Sequence, residues 1–327
     1  MKICFYCLRT FDELPYAEQF SREMGIDFVW TAEYPNEHNM ELAKGCDAIS
    51  VTPSDLSAPV LEKFHALGVR NILCHSIGYD HVDLKKAKEL GMRVANVNYP
   101  PSGVANYTIM LMMMCQRKIV QILDRSRLQD YTLRGKIGTD LSFSTVGVIG
   151  TGKIGTAVIR NLSGFGCRIL CHSRHENPEA AKYAEYVSLD TLYSESDVIT
   201  LHTSANAATT HMLNTDSFSK MKDGVIIINT ARGKLIDTDA LIDALESGKV
   251  GAAALDVLEN ENGLYYYSRV GEDIPNRQMA VLRSFPNVIL SPHTAFYTTE
   301  AVKYMVRGNF EAEYAFENGL KTEHAVL

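Results

Sequence analysis

Residues Val146 to Gly155 read V-G-V-I-G-T-G-K-I-G, an apolar run that breaks into glycines at Gly150, Gly152 and Gly155. The run has the length and β-branched content of a buried strand. From Lys153 onward (K-I-G-T-A-V-I-R-N-L) apolar residues recur at helical spacing. The glycines therefore fall in a strand-to-helix turn, and Cys167–Cys171 (C-R-I-L-C) supplies the second strand of a βαβ unit. A dinucleotide pyrophosphate fits such a turn, because the unpaired N–H groups and the dipole of the helix N-terminus favour an anion. Gly150 permits the tight turn, Gly152 lets phosphate approach the backbone, and Gly155 lets helix pack on strand. Lys153 and Ile154 open the helix and join the expected cofactor contacts.

The rest of the chain follows the same α/β rhythm, which argues for parallel sheets covered by helices. Its 327 residues suffice for two domains. The first hundred predict strands at Ile3–Tyr6, Phe28–Trp30, Ala48–Val51, Asn71–Cys74 and Arg93–Asn96, with helices such as Ala58–Leu67 and Leu84–Leu90, the latter closed by Gly91. A second series runs through Thr145–Ile149, Arg168–Cys171, Val198–Leu201, Val225–Asn229, Gly251–Leu255 and Val288–Leu290. Between the two lies Pro100-Pro101 and a helical pattern from Gly103 to Leu128. Met112, Met113 and Met114 cannot share one helical face, so this helix is expected to be buried nearly all round, in a core or a dimer contact. The last helix, Thr298–Asn318, is expected to return to the first domain. The domains are thus expected at 1–101 plus 299–327, and at 102–298.

Composition removes several function classes. A formal charge of −7 with no basic run argues against nucleic acid. The most apolar stretch, Thr108–Cys115, is far shorter than the ~20 residues of a spanning helix, so no membrane is expected. The start, M-K-I-C-F-Y-C-L-R-T, reads as a first strand rather than a signal peptide, which leads to an expected cytoplasmic location. Seven cysteines are scattered. Cys4 and Cys7 would point to opposite faces of a strand, and no partner pair follows at zinc spacing, so buried reduced thiols and no metal site are expected.

Four further segments carry chemistry. N-T-A-R-G-K-L-I (Asn229–Ile236), A-A-L-D-V-L-E-N-E (Ala253–Glu261) and S-P-H-T-A-F-Y-T (Ser291–Thr298) each follow or complete a strand of the second series. H-S-I-G-Y-D-H-V-D (His75–Asp83) closes a strand of the first. Ligands bind at the carboxyl ends of such strands. Arg232, Glu261 and His293 are the set a 2-keto acid reduction needs: a cation for the carboxylate, an acid for the carbonyl oxygen, and a carboxylate beside that acid.

With G-T-G-K-I-G, these segments resemble the D-isomer-specific 2-hydroxyacid dehydrogenase family over essentially the whole chain. F-G-C-R-I-L, L-R-G-K, P-N-V-I-L-S-P-H-T-A-F-Y-T and N-V-N-Y-P-P-S-G-V-A-N-Y look most like its D-lactate dehydrogenase branch, including the forms that accompany glycopeptide resistance. The resemblance implies a flavodoxin-like substrate domain and a doubly wound dinucleotide-binding domain. It implies that Arg232 pairs with the substrate carboxylate, that His293 donates the proton with Glu261 as its partner, and that Asp256 holds the nicotinamide carboxamide. The N–H groups of Ile77 and Gly78 would bind the carboxylate, while Tyr99 and Phe296 would line the side-chain pocket unless they are ordinary core. His202, Thr203, Thr230 and Ala231, with Arg232 and His293 themselves, are the remaining expected cofactor contacts. A homodimer built on Gly103–Leu128 is expected, and a D product follows from the resemblance alone.

Three positions depart from the family pattern. Ser173 stands where an acid is usual after the second Rossmann strand. An acid there binds the ribose 2′-hydroxyl and repels a 2′-phosphate, and Ser173-Arg174, flanked by His172 and His175, does neither. NADPH is therefore expected to serve at least as well as NADH, unless Arg174 stacks on adenine or points to solvent. Ser204 stands where proline is frequent after Leu201-His202-Thr203, and His75 where the branch often has arginine. Two other readings share these motifs: an NAD(H)-sensing co-regulator of the same fold, and a reductase of larger branched or aromatic 2-keto acids. An adenosylhomocysteine hydrolase fits poorly, because the chain lacks room for its insertions.

Overall fold

Short apolar runs become parallel strands where helices can cover both faces. In the computed structural model, which describes residues 1–261 and 263–327, this happens twice. One unit comprises Met1–Pro100 and Tyr297–Leu327, the other Pro101–Phe296.

The first unit is built from β1 (Lys2–Phe5), α1 (Leu14–Met24), β2 (Asp27–Trp30), β3 (Ala48–Val51), α2 (Ala58–Ala66), β4 (Asn71–Cys74), α3 (Leu84–Glu89) and β5 (Arg93–Ala95). Among the described residues its strands pair in the order β2-β1-β3-β4-β5, all parallel. This is the flavodoxin-like order, with its switch point between β1 and β3. β3 and β4 are buried at every residue, and their two polar members, Ser50 and Asn71, are hydrogen-bonded to side chains of the C-terminal helix. The C-terminal helix, Thr299–Glu317, lays Val306, Phe310 and Phe316 against Ile3, Phe5 and Phe20. The end of the chain then covers the β5 edge: Val326 N donates to Val94 O at 2.8 Å and Asn96 N to His324 O at 2.9 Å.

That helix also buries a carboxyl group. Glu313 Oε2 accepts from Asn71 Nδ2 at 2.8 Å, while Oε1 is buried without a partner. Burial pushes Glu313 up to about 7 against the Asn71 hydrogen bond, and Glu317 and Asp47 add repulsion. A glutamate raised in the fold holds its proton more tightly there than in the unfolded chain. Its contribution is therefore fully present at low pH and is lost as pH rises through about 7. Glu313→Gln, which mimics the protonated form, is expected to raise Tm by several degrees more at pH 8 than at pH 5. Calorimetry at the two values checks this, and a pH-independent difference contradicts it.

The second unit opens with α4 (Ser102–Gln116) and α5 (Ile119–Arg127). It continues through β6 (Thr145–Ile149), α6 (Lys153–Leu162), β7 (Arg168–His172), β8 (Glu185–Tyr186), α7 (Leu189–Glu195) and β9 (Val198–Leu201). It ends with α8 (Thr215–Lys220), β10 (Val225–Asn229), α9 (Thr238–Glu246), β11 (Val250–Leu255), α10 (Arg277–Leu282) and β12 (Val288–Leu290). The parallel order among the described residues is β12-β11-β10-β9-β6-β7-β8. This is the doubly wound dinucleotide order extended by one strand, with its crevice where β6 meets β9.

One expectation is corrected here. The helix expected to run unbroken from Gly103 to Leu128 is two helices, because Lys118 adopts a left-handed backbone (φ 51°) and redirects the chain. Within the single chain α4 buries Leu111 and Met112 and leaves Met110 and Met113 38% and 37% exposed, so the fold's own core covers only part of it. The methionine run straddles the boundary between a packed face and an open one. All seven cysteines are free; six are buried and Cys167 is half-buried. Among the described residues no helix is long and apolar enough to cross a membrane.

Candidate active site

The turn between β6 and α6 shows what each glycine does. Gly150 has φ 99°, and a Cβ there would lie 2.4 Å from the carbonyl oxygen of His202. At Gly155 a Cβ would come within 1.9 Å of the Gly150 oxygen, so the helix sits against the strand only without one. Gly152 differs, since a Cβ there would meet nothing within 4 Å. The backbone at Gly152 thus faces open space at the N-terminus of a ten-residue helix, which fits a pyrophosphate. The loop is braced from below by residues that the local sequence pattern does not reveal. Tyr186 on β8 donates its hydroxyl to Thr151 Oγ1 at 2.8 Å, and Asn177 Nδ2 donates to Thr151 O at 3.0 Å.

The other expected cofactor residues line the same end of the sheet. His202 follows β9, shares a 2.9 Å hydrogen bond between its Nε2 and Thr200 Oγ1, and is pushed down to about 3 by burial, so it is a neutral ring. Thr203 follows it and is half-buried. β7 ends in His172, whose Nδ1 donates to the Val187 carbonyl at 2.9 Å. Ser173 is half-buried beyond it, and Arg174 and His175 are exposed. Thr230 is buried after β10, with its hydroxyl 2.9 Å from that of Thr108 on α4.

Arg232 is held by the turn that carries it. Asn229, the last residue of β10, folds back so that Oδ1 accepts from Ala231 N at 3.0 Å and Nδ2 donates to Arg232 O at 2.8 Å. The guanidinium Nη1 donates to Ala231 O at 2.8 Å. A Cβ at Gly233 would lie 2.1 Å from the Leu258 carbonyl carbon, so glycine is what lets this turn pack against the Val257–Glu261 segment. Asn229 and Gly233 both lie inside the N-T-A-R-G segment; an asparagine or glycine beside a strand end is the signal that points to them.

Glu261 and His293 meet directly. Glu261 Oε2 accepts from Leu258 N at 2.7 Å, and Oε1 lies 2.6 Å from His293 Nδ1. With Nδ1–H bonded to the carboxylate, Nε2 is the nitrogen left to handle a proton. His293 sits at φ 53°, a conformation that costs a histidine energy and persists only when its surroundings impose it. Its N–H donates to Asp256 O at 2.8 Å and Ser291 O at 2.9 Å, and Tyr266 donates its hydroxyl to the His293 carbonyl at 3.0 Å. Asp256, fully buried, accepts from Ser291 Oγ at 2.6 Å, Thr294 N at 2.9 Å and Ala295 N at 2.8 Å. Its carboxylate therefore moulds the loop that carries His293. The Phe296 ring meets the imidazole edge-on at 6.3 Å. Tyr266 has no marker in the sequence.

Ile77, Gly78 and Tyr99 belong to the first unit and are half-buried. Ser76 Oγ donates to Gly78 O at 2.6 Å and Asn96 Nδ2 to Ile77 O at 2.7 Å, so the loop after β4 is pinned on two sides.

The unit that holds the strand-end arginine, the carboxylate-bonded histidine and the open glycine turn also matches a known family. Residues 109–295 match the model described as "D-isomer specific 2-hydroxyacid dehydrogenase, NAD binding domain". The chain belongs to the D-isomer-specific 2-hydroxyacid dehydrogenase family. It is an NAD-dependent oxidoreductase of the D-lactate dehydrogenase branch. It is 42% identical to an aromatic 2-oxoacid reductase of Clostridium sporogenes over 94% of this chain and 93% of that one. It is 39% identical to a D-lactate dehydrogenase of Lactiplantibacillus plantarum over 97% of this chain and 96% of that one. The apo-structure of D-lactate dehydrogenase from Escherichia coli matches at a TM-score of 0.87 with 35% identity, covering 100% of both chains.

Proposed function

We propose that this dehydrogenase reduces a small, pyruvate-like 2-keto acid to its D-2-hydroxy acid, as a D-lactate dehydrogenase. The observation that carries the reading is the 2.6 Å contact between His293 and Glu261 in the same unit as Arg232. The nicotinamide cofactor, when bound, supplies a hydride to C2. His293 Nε2 gives its proton to the carbonyl oxygen as that oxygen gains electron density, and Glu261 compensates the imidazolium before transfer. Arg232 pairs its planar cation with the substrate carboxylate. The family pattern gives Ile77 and Gly78 the role of carboxylate donors through their N–H groups, and Tyr99 and Phe296 that of side-chain contacts. Asp256 holds the His293 loop and, on the family pattern, the carboxamide. A kcat/KM panel of pyruvate, 2-ketobutyrate, a branched 2-keto acid and phenylpyruvate tests the reading, and pyruvate is expected to lead.

The 42% relative gives the aromatic alternative specific support. Phenylpyruvate ahead of pyruvate by about tenfold or more would replace the small-substrate reading with it. No turnover with any member would leave the NAD(H)-sensing co-regulator.

The cofactor reading is finer than NAD(H). Ser173 removes the acid that repels a 2′-phosphate, and exposed Arg174 can add a charge-assisted hydrogen bond to one, stabilising by roughly 1.5–3 kcal/mol. NADPH is thus expected to serve at least as well as NADH, Arg174→Ala to raise KM for NADPH selectively, and Ser173→Asp to return preference to NADH. Strong wild-type preference for NADH, with a ratio unmoved by either substitution, contradicts it.

The assembly reading is a homodimer. Leu128, Tyr131, Leu133, Ile137 and Phe143, which follow α5, are each 75% exposed or more. They close or adjoin in sequence the Gly103–Leu128 stretch on which the dimer is expected to be built, and their exposure supports an interface there. Sedimentation is expected to show a dimer at micromolar concentration, and a stable monomer there contradicts it.

A further inference from the structure

A buried polar chain crosses the carboxyl end of the first unit's sheet, and the reaction as written leaves it without a role. His75, the residue after β4, is 3% exposed, and Glu13, Ser50 and Asn309 are at most 1% exposed. Asn309 Nδ2, on the C-terminal helix, donates to Ser50 Oγ at 2.7 Å and to His75 Nδ1 at 2.6 Å. His75 Nδ1 is then an acceptor, so its proton sits on Nε2 and is donated to Glu13 Oε1 at 2.9 Å. Arg9 completes the chain: its N–H donates to Glu13 Oε2 at 2.8 Å and its Nη2 lies 2.6 Å from Oε1. Arg9 Nε faces both oxygens of Asp12 at 3.0 Å, and Tyr297 donates its hydroxyl to Asp12 at 2.5 Å. The Phe5 ring closes the remaining side of His75 at 6.5 Å. Burial works to raise Glu13, and the hydrogen bond from His75 together with the Arg9 cation works to lower it.

Buried ion pairs add little stability compared with apolar side chains of the same volume. This one stands where open α/β sheets bind ligands, and the residue it grips runs directly into Ser76, Ile77 and Gly78. We propose that Ser50, Asn309, His75, Glu13 and Arg9 form a positioning device for the substrate carboxylate. His75 and Asn309 act as positioning residues that hold the Ser76–Gly78 backbone. The proposal rests on the reading of Ile77 and Gly78 as carboxylate donors.

The test compares His75→Leu, His75→Gln, Asn309→Ser and Ile77→Pro in the full-length enzyme, measuring kcat, both KM values and Tm. His75→Leu and Asn309→Ser are expected to raise KM for pyruvate at least about tenfold, with kcat within about threefold and KM for NADH unchanged. Glutamine can accept and donate at the same two points, so His75→Gln is expected to restore KM for pyruvate to within about threefold of wild type. Should His75→Leu fail to fold, Asn309→Ser carries the same expectation. A purely structural role would lower Tm while leaving the ratio of the two KM values unchanged, and that result overturns the proposal. Ile77→Pro removes an N–H from the loop itself. An unchanged KM for pyruvate there defeats the carboxylate reading, whereas a raised one beside normal His75 and Asn309 variants defeats the positioning device alone.

Discussion

His293→Asn is expected to lower kcat for keto-acid reduction by ~10²–10⁴-fold, the range that positioned acid–base groups contribute. KM for NADH should change little, because asparagine keeps the loop's backbone bonds to Asp256 and Ser291. The pH dependence carries the sharper signature. Reduction needs the imidazolium and oxidation of the hydroxy acid needs the neutral ring. Wild-type reduction should therefore fall, and oxidation rise, across the same pH interval. In His293→Asn both dependences should flatten. Opposed profiles that survive the substitution would assign the proton to another group. Asparagine also tolerates a positive φ better than most residues, so the variant should stay folded at the strained position.

Arg232→Lys is expected to lower kcat/KM for the keto acid by at least ~100-fold, or ~2.7 kcal/mol. The charge is retained but the two parallel N–H bonds to a carboxylate are not. The turn should survive, because Asn229 grips the backbone of residues 231 and 232 rather than the guanidinium. Cofactor affinity should barely move. A tenfold loss of NADH binding with normal turnover would place this arginine on the cofactor instead.

The glycine turn was legible in the sequence because its requirements are local. A positive φ at Gly150 and a close approach at Gly155 each demand one residue type at one position. Arg232, Glu261 and His293 stand out in the sequence because they follow the carboxyl ends of plain apolar runs, where such sheets bind ligands, and the fold brings Glu261 and His293 into contact. The break between α4 and α5 was not. Lys118 is neither glycine nor proline, and the apolar spacing continues past it, so nothing local marks the left-handed turn. β8 spans two residues and falls below any periodicity. Tyr266, which holds the His293 carbonyl, and Asn309, which reaches His75 across 234 positions, act through contacts that only the folded chain creates.

The central claim is hydride transfer to a 2-keto acid at this site. NADH carrying deuterium at both C4 positions, incubated with pyruvate and the purified enzyme, tests it most directly, with the product resolved by chirality and mass. D-lactate bearing one deuterium at C2, formed by wild type and lost with His293→Asn, is the predicted result. Unlabelled or L-configured product, or no NADH consumption with any 2-keto acid, would contradict the account.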